Sequence, residues 1–434
     1  MVTSGPPRFE GDDAGTPHDA WLRSAALRDA PTLERSPSAL LVVAAHPDDE
    51  VLGAFGSMHA AARRGLPVTV VVATDGEGSH PGSPTLEPAA LAERRRAEQE
   101  EALAGVGARL IRLGLPDGAV HAHRRELVAA VASIVAALPD DALVLAPWSR
   151  DGHPDHEAVG DAVAAVAREA GRACAWSPIW AWLWGEPELF DGMPVRRVPL
   201  DVDARDAKVR AIAAHRSQVA PLSSHPADRV VLTSAMLERF AGDEWLVLAP
   251  AAERTAFDER YASEGDPWST RSSWYERRKR SLVLASLPDE RYRLAVEVGC
   301  GTATLTAELA ARCDGALGVD ASVPALAEAR RTLADAPNAW VEHRTAADGL
   351  PAADVDLVVL SELGSYIADA DLLHVVEQAR DRGAHLVLCH WRGESDDMRR
   401  SAEEVHALAA GIRGLRRVVE HRDDAFLLDV LVPE

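Results

Sequence analysis

Apolar residues in this chain fall into short continuous runs, separated by longer stretches in which they recur at helical spacing. The runs LLVVAA (40–45), PVTVVVAT (67–74), ARLIRLGL (108–115) and DALVLAP (141–147) read as strands, the most continuous of them buried on both faces. Between them lie the helix-patterned stretches AALAERRRAEQEEALAGVG (89–107), RRELVAAVASIVAAL (124–138) and HEAVGDAVAAVAREAG (156–171). Strands alternating with helices predict a mostly parallel sheet covered on both faces, an α/β domain of Rossmann-like type. Trp180, Trp182 and Trp184 alternate as well; on a strand they would share one face.

A second series begins after about Ala262. It runs YERRKRSLVLASLP (helix), RLAVEVG (strand), TLTAELAARC (helix), GALGVD (strand) and VPALAEARRTLA (helix), then the strands AWVEHRT, VDLVVLSE and HLVLCHW. This is again α/β, and no internal repeat links it to the first series. The predicted organisation is a polar leader over 1–35 with one short helix, a first domain over 36–255, a linker over 256–263 and a second domain over 264–434. A chain of 434 residues is long enough for two such cores.

Charge narrows the partners. The formal net charge of −22 repels polyphosphate backbones, so nucleic acid is not an expected ligand. The one dense basic run, Arg277 to Arg280, reads as a solvated helix face. No apolar stretch approaches the ~20 residues of a membrane span. The acidic, Gly/Pro-rich start lacks the features of a signal peptide. Cys174, Cys300, Cys313 and Cys389 are too scattered for a disulfide framework or a thiolate metal site. A cytoplasmic protein is expected. Nothing in the pattern speaks to oligomeric state.

Chemistry concentrates at strand ends. AHPDDE (45–50) follows the first buried run, and DGHPDH (151–156) follows DALVLAP. In an open α/β sheet ligands bind at the carboxyl ends of strands, so both clusters leave the sheet at the edge where chemistry is done. A hydrolytic zinc needs N/O ligands from the protein and an open position, which these two loops can supply. Either cluster alone also reads as a helix start. The two together, with TDGEG (74–78), LAERRRAEQEEALAGVG, RLGLPDG (112–118) and KVRAIAAHRSQ (208–218) in order, resemble the PIG-L/LmbE-type deacetylases, which hydrolyse N-acetyl groups on amino-sugar conjugates. The resemblance implies Zn2+ held by His46, Asp49 and His156. It implies Asp48 as general base and His153 as the electrophilic or acidic partner, with Asp155 a candidate to orient one imidazole. Asp151 stands where some members carry Tyr, and His215 and Arg216 match a late family segment.

The second domain opens on EVGCGTA (297–303), a glycine loop between strand and helix, with Asp320 ending the next strand at the distance of a ribose-binding carboxylate. That pair suits a dinucleotide as well as S-adenosylmethionine (SAM). Glu297 two residues before the first glycine, and DLVVLSE as a fourth strand, resemble class I SAM-dependent methyltransferases. DPWSTRSSWYERRKRSLVLASLP and DLVVLSELGSYI resemble the nodulation-factor N-methyltransferases in particular, over about 264–434. That resemblance implies Glu297, Gly299, Gly301 and Asp320 as SAM contacts, and Glu362, Tyr366 and His390 on the acceptor side, with Glu362 as the catalytic candidate. Trp274 and Tyr275 would either close over the cofactor or anchor a helix. The combined expectation is a bifunctional enzyme that deacetylates a small-molecule N-acetylated amino sugar or glycoconjugate and then methylates the freed nitrogen. Unrelated substrates, a hydroxyl acceptor, or SAM as a regulatory ligand remain open alternatives.

Overall fold

The computed structural model describes residues 15–34, 37–253 and 255–434. The chain divides into two compact units after Ala252. The first contains β1 (Leu40–Ala44), β2 (Val68–Thr74), β3 (Arg109–Leu115), β4 (Leu143–Pro147), β5 (Ala173–Ser177), β6 (Val195–Val198) and β7 (Glu244–Leu248). The second contains β8 (Tyr292–Val298), β9 (Cys313–Asp320), β10 (Ala339–His343), β11 (Leu357–Ser361), β12 (His385–Trp391), β13 (Leu415–Arg422) and β14 (Phe426–Pro433).

Each unit is an α/β domain built on one mixed, mostly parallel sheet flanked by helices. The strand orders are β3-β2-β1-β4-β5-β7-β6 and β10-β9-β8-β11-β12-β14-β13. They are the same order, reached by sequences with no detectable repeat. In both sheets the first five strands run parallel and the last in sequence is inserted antiparallel to its neighbours. The apolar runs explain the layering. In β1, Leu40 and Val42 pack into one core layer while Leu41 and Val43 pack into the other. In β11, Leu357 and Val359 enter one layer and Val358 and Leu360 the other. A central strand buried on both faces can carry no polar position, which is why these runs are continuous. Among the described residues no helix is long and apolar enough to cross a membrane.

Three expectations are corrected. Of the leader read over 1–35, residues 1–14 and Arg35 lie outside the described residues, but the rest belongs to the first domain. It forms two short helices and pairs with the β6 edge, Leu33 N–H donating to the Arg197 carbonyl and Arg197 N–H to the Pro31 carbonyl. Trp21, within it, is buried against Trp182 (5.0 Å) and Phe190 (5.5 Å), and its indole N–H donates to the Trp182 carbonyl. A single large aromatic amid polar residues carries no periodicity, so composition hid it. The segment 256–263, read as linker, carries most of the helix Asp258–Glu264, whose buried Tyr261 packs on the second domain. The three alternating tryptophans are not on a strand. Trp180 precedes the helix Ala181–Trp184, and a helical turn points the rings in different directions.

Trp21→Ala removes a buried aromatic from a segment that looks dispensable, and should destabilise the first domain by about 3–5 kcal/mol. Urea unfolding of the full chain, followed by hydrogen exchange in β1 and β8 peptides, should show the β1 transition shifted to lower urea and the β8 transition unmoved.

Candidate functional site

In the first sheet the strand order reverses between β1 and β4, and the loops after these two strands flank the opening. Both lead into helices. Asp48 precedes the helix Asp49–Arg63, and His153, with Pro154 after it, caps the helix Pro154–Glu169. His46, Asp49, His153 and His156 therefore meet at one edge. His46 Nδ1 and His156 Nε2 lie 3.3 Å apart, and the Asp49 carboxylate is 3.2 Å from the latter and 3.6 Å from the former. The opposite nitrogen of each ring faces a carboxylate. His46 Nε2 lies 3.0 Å from Asp117 and 3.3 Å from Asp155, and His156 Nδ1 lies 2.7 Å from Asp151. With the outer nitrogens held as N–H donors, the inner ones present lone pairs to one point beside a carboxylate. That N,N,O donor set fits zinc. Imidazole nitrogens of His46, His153 and His156 also lie within 4.8 Å of one another.

Asp48 sits beside this point in a backbone conformation unusual for a side-chain-bearing residue, φ 135°. Its carboxylate accepts from Arg95 Nη2 at 3.1 Å, and the same guanidinium donates to the Pro47 and Gly76 carbonyls. Gly76 is required there: at φ 68° a Cβ would come within 2.1 Å of the Arg95 guanidinium. Burial pushes the Asp48 carboxyl up to about 6, with Arg95 opposing it. Burial, then the neighbouring His156 and His46, push His153 down to about 3, so its imidazole is neutral. His153 Nδ1 accepts the Asp155 amide N–H at 3.3 Å, which leaves Nε2 as the protonated donor. The Trp180 ring stacks on this imidazole, 6.1 Å between centroids.

In the second sheet the reversal falls between β8 and β11. The loop after β8 is tied down by Gly299 and Cys300 N–H donating to the Val319 carbonyl, and by Gly301 N–H donating to Asp320 at 2.8 Å. Gly299 (φ 77°) and Gly301 (φ 53°) leave no room for a side chain: a Cβ would meet Leu363 at 3.0 Å in the first case and the Tyr261 hydroxyl at 2.5 Å in the second. A glycine cradle with a carboxylate at the end of the adjacent strand fits the donor and ribose parts of SAM. Glu297 lies beneath this loop, accepting from the Thr306 hydroxyl, with burial pushing its carboxyl up to about 8.

Two family models that match the chain agree with this geometry. Residues 41–167 match the family model described as GlcNAc-PI de-N-acetylase (PIG-L), and residues 295–382 match a methyltransferase domain model. The chain joins a PIG-L-type deacetylase domain to a SAM-methyltransferase domain. It is 28% identical over 239 residues to the 1D-myo-inositol 2-acetamido-2-deoxy-alpha-D-glucopyranoside deacetylase of Rhodococcus erythropolis, covering 42% of this chain and 81% of that one. A methyltransferase structure from Pseudomonas syringae is 40% identical, covering 37% of this chain and 99% of that one, with a TM-score of 0.33. The N-methyltransferase NodS from Bradyrhizobium japonicum is 20% identical, covering 40% and 95%, with a TM-score of 0.36.

The deacetylase-type site thus gathers the histidines and aspartates singled out from sequence, and adds groups that reading passed over. Asp117 belongs beside His46; asking which carboxylate follows β3, as was asked of β1 and β4, would have found it. Arg95 carries no such signal, because a buried arginine within Arg94-Arg95-Arg96 looks like its neighbours. Asp151 accepts the amide N–H groups of Ile179, Trp180 and Ala181 and holds His156, so it is a positioning carboxylate where a tyrosine was considered. Asp155 does face an imidazole, that of His46. Arg216 pairs with Glu101 at the surface, whereas His215 is buried.

In the methyltransferase-type site Glu362 stands at the end of β11 with φ 68°. Its carboxylate accepts from Lys279 Nζ at 2.7 Å, the Tyr275 hydroxyl at 3.2 Å and the Trp391 amide at 2.8 Å. Tyr275 thus reaches the acceptor side, while Trp274 is largely exposed. The basic run is not one solvated face: Lys279 and Arg280 are buried, because the helix Trp274–Ala285 lies against the sheet and pairs them with Glu362 and Glu308. His390 is wholly buried and accepts the Gly364 amide N–H, so it cannot take a proton from an acceptor.

Two measurements test these sites. Asp151→Asn weakens the hold on His156 and should lower zinc affinity by about tenfold to a hundredfold, read by chelator competition. Asp320→Ala removes a carboxylate that can bind ribose hydroxyls and should weaken SAM binding by about 1.5–3 kcal/mol, read by calorimetry on the full chain.

Proposed function

We propose that the deacetylase domain removes the acetyl group from a small N-acetylated amino sugar or its conjugate, and that the methyltransferase domain methylates the nitrogen this frees. The observation that carries the first half is the convergence of His46, Asp49 and His156 on one point flanked by Asp48 and His153. The substrate class rests on the Rhodococcus erythropolis relative, which is named as the deacetylase of an N-acetylated glucosaminyl inositol.

Bound by His46, Asp49 and His156, a zinc ion supplies Lewis acidity and lowers the pKa of water. Asp48, held by Arg95, takes a proton from the attacking water as its oxygen adds to the acetamide carbon. His153, neutral and carrying its hydrogen on Nε2, donates to the oxygen on which negative charge develops. The C–N bond then breaks, the nitrogen receives the proton held by Asp48, and acetic acid and amine leave, the acid giving its proton to solvent. Asp117, Asp151 and Asp155 hold the imidazoles in place throughout.

In the second domain SAM supplies an electrophilic methyl group. Gly299, Gly301 and Asp320 hold the donor, and Glu362 faces the acceptor side. What the chain would align against that methyl group is a neutral amine nitrogen, which would lose a proton once methylated. Here alignment matters more than base strength. The order follows from chemistry. An acetamide nitrogen shares its lone pair with the carbonyl and is a poor nucleophile, so hydrolysis creates the group that methylation needs.

Mass spectrometry of N-acetylated sugar conjugates incubated with the zinc-loaded chain and SAM tests the whole scheme. Acetyl should be replaced by hydrogen, and a methyl gained afterwards. Asp48→Asn in the full chain should retain zinc but lose about a hundredfold or more of acetate release. It should yield no methylated product from the acetylated substrate and normal methylation of the free amine. Methylation of the still-acetylated compound by this variant would overturn the order and point to a hydroxyl acceptor.

A further inference from the structure

Beneath the acceptor side of the methyltransferase-type site lies a chain of buried groups that neither proposed reaction uses. His390 Nε2 accepts the Gly364 amide N–H at 3.0 Å, His390 Nδ1 lies 3.2 Å from His406 Nε2, and His406 Nδ1 lies 2.9 Å from Asp429. All three side chains are buried. Arg417 reaches the Asp429 carboxylate from the other side, with both oxygens at 3.3 Å.

The polarity of this chain is set from both ends. An amide N–H can only donate, so His390 Nε2 must carry a lone pair and, in a neutral ring, Nδ1 must carry the hydrogen. That hydrogen points at His406 Nε2, which must then be the acceptor, leaving Nδ1–H on His406. An ionised carboxylate can only accept, and Asp429 stands where that hydrogen points. Burial opposes ionisation of Asp429, but His406 and Arg417 outweigh it and hold its carboxyl below the usual range. Burial holds His390 well below the ordinary histidine range, so the ring stays neutral. Protonating either imidazole, or reversing either tautomer, would set an N–H of His390 against the Gly364 N–H.

Gly364 belongs to the segment Glu362–Tyr366, the wall of the crevice opposite the glycine loop. Leu363 stands against Gly299 there. The other face of this segment is gripped as well: Arg400 donates to the Gly364 carbonyl at 2.6 Å, and Arg399 donates to the carbonyls of Ser365 and Tyr366. No side chain fits at Gly364, since a Cβ would lie 2.7 Å from His390 Nε2.

We propose that Asp429, His406 and His390 are positioning residues that fix the segment Glu362–Tyr366, and with it the acceptor wall of the methyltransferase-type site, through a single allowed sequence of imidazole tautomers. Their effect on turnover rests on the methyl-transfer reading above; the chain itself can be tested without it.

The test uses the full-length chain with 15N-labelled histidine. Long-range proton–nitrogen spectra should show both His390 and His406 as Nδ1–H rings, the signals assigned through the single variants. His406→Phe keeps a ring in place but takes away the acceptor for His390 Nδ1–H, so the His390 ring carries a buried unpaired donor and loses the partner that anchors it against Gly364. Amide exchange in the peptide spanning 362–366 should rise about tenfold in His406→Phe and in His390→Leu. It should stay near the wild-type rate in His390→Gln, whose carbonyl oxygen can still accept from Gly364. With SAM and glucosamine as the probe amine, kcat should fall about tenfold in the first two variants while the KM for SAM changes by less than about twofold. Nε2–H on His390 in the wild-type chain, or exchange in His390→Leu equal to wild type, would overturn the proposal. An unchanged kcat despite faster exchange would overturn the positioning role. Absence of any methylated product from the wild-type chain would instead count against the proposed function, with tautomers and exchange still deciding the relay.

Discussion

Both domains depend on one geometric constraint. A parallel strand must be left by a crossover, and right-handed crossovers leaving a central strand in opposite directions along the sheet place their helices on opposite faces. Where the strand order reverses, at β1/β4 and again at β8/β11, the two outgoing loops separate and leave an opening at the carboxyl edge. The histidine–aspartate cluster and the glycine cradle both occupy such an opening. The chain must turn sharply there, and Asp48, Ala303 and Glu362 take positive φ in doing so. Such residues cost about 1–3 kcal/mol each, so the surroundings must hold them. Arg95 spans Asp48, Pro47 and Gly76 on one site, and Lys279, Tyr275 and the Trp391 amide converge on Glu362 in the other.

Buried charge is therefore a shared device, with different consequences in different places. Lys208 and Glu244 make an equally buried pair at 2.9 Å, and Glu244 also accepts the Gly56 and Ser57 amides. Through Glu244 that pair fastens β7 and the helix Val202–Ala214 to the helix Asp49–Arg63. Removing one partner of any such pair leaves an uncompensated charge, so all resist change.

Much of this was legible in the chain itself. Continuous apolar runs identified the central strands because a strand covered on both faces excludes polar residues. His46, Asp48, Asp49, His153 and His156 could be named because they stand directly after such runs, and strand direction alone sends them to the same edge. The glycine spacing around Gly299 and Gly301 was readable for a related reason: positive φ and close approach admit little else. The strands β6, β7, β13 and β14 were not readable: β6 and β13 are partly exposed edge strands, and β7 and β14 are inserted antiparallel between such an edge and the parallel strands.

Groups that act through a neighbour depended on tertiary structure. Arg95, Asp117 and Lys279 come from other helices and loops than the groups they hold, and each looks like an ordinary surface charge in sequence. The role of His390 was misread for the same reason: it ends a strand near the acceptor side, yet its ring turns inward to Gly364 and His406. Trp21 was read as leader because one aromatic has no period. Sequence by itself determined which residues sit at strand ends, because backbone direction and alternation are local properties. Tertiary structure alone decided which of them face a ligand and which face a partner, because a hydrogen bond between segments a hundred residues apart, such as His46 to Asp155, depends on helix packing that no local pattern encodes.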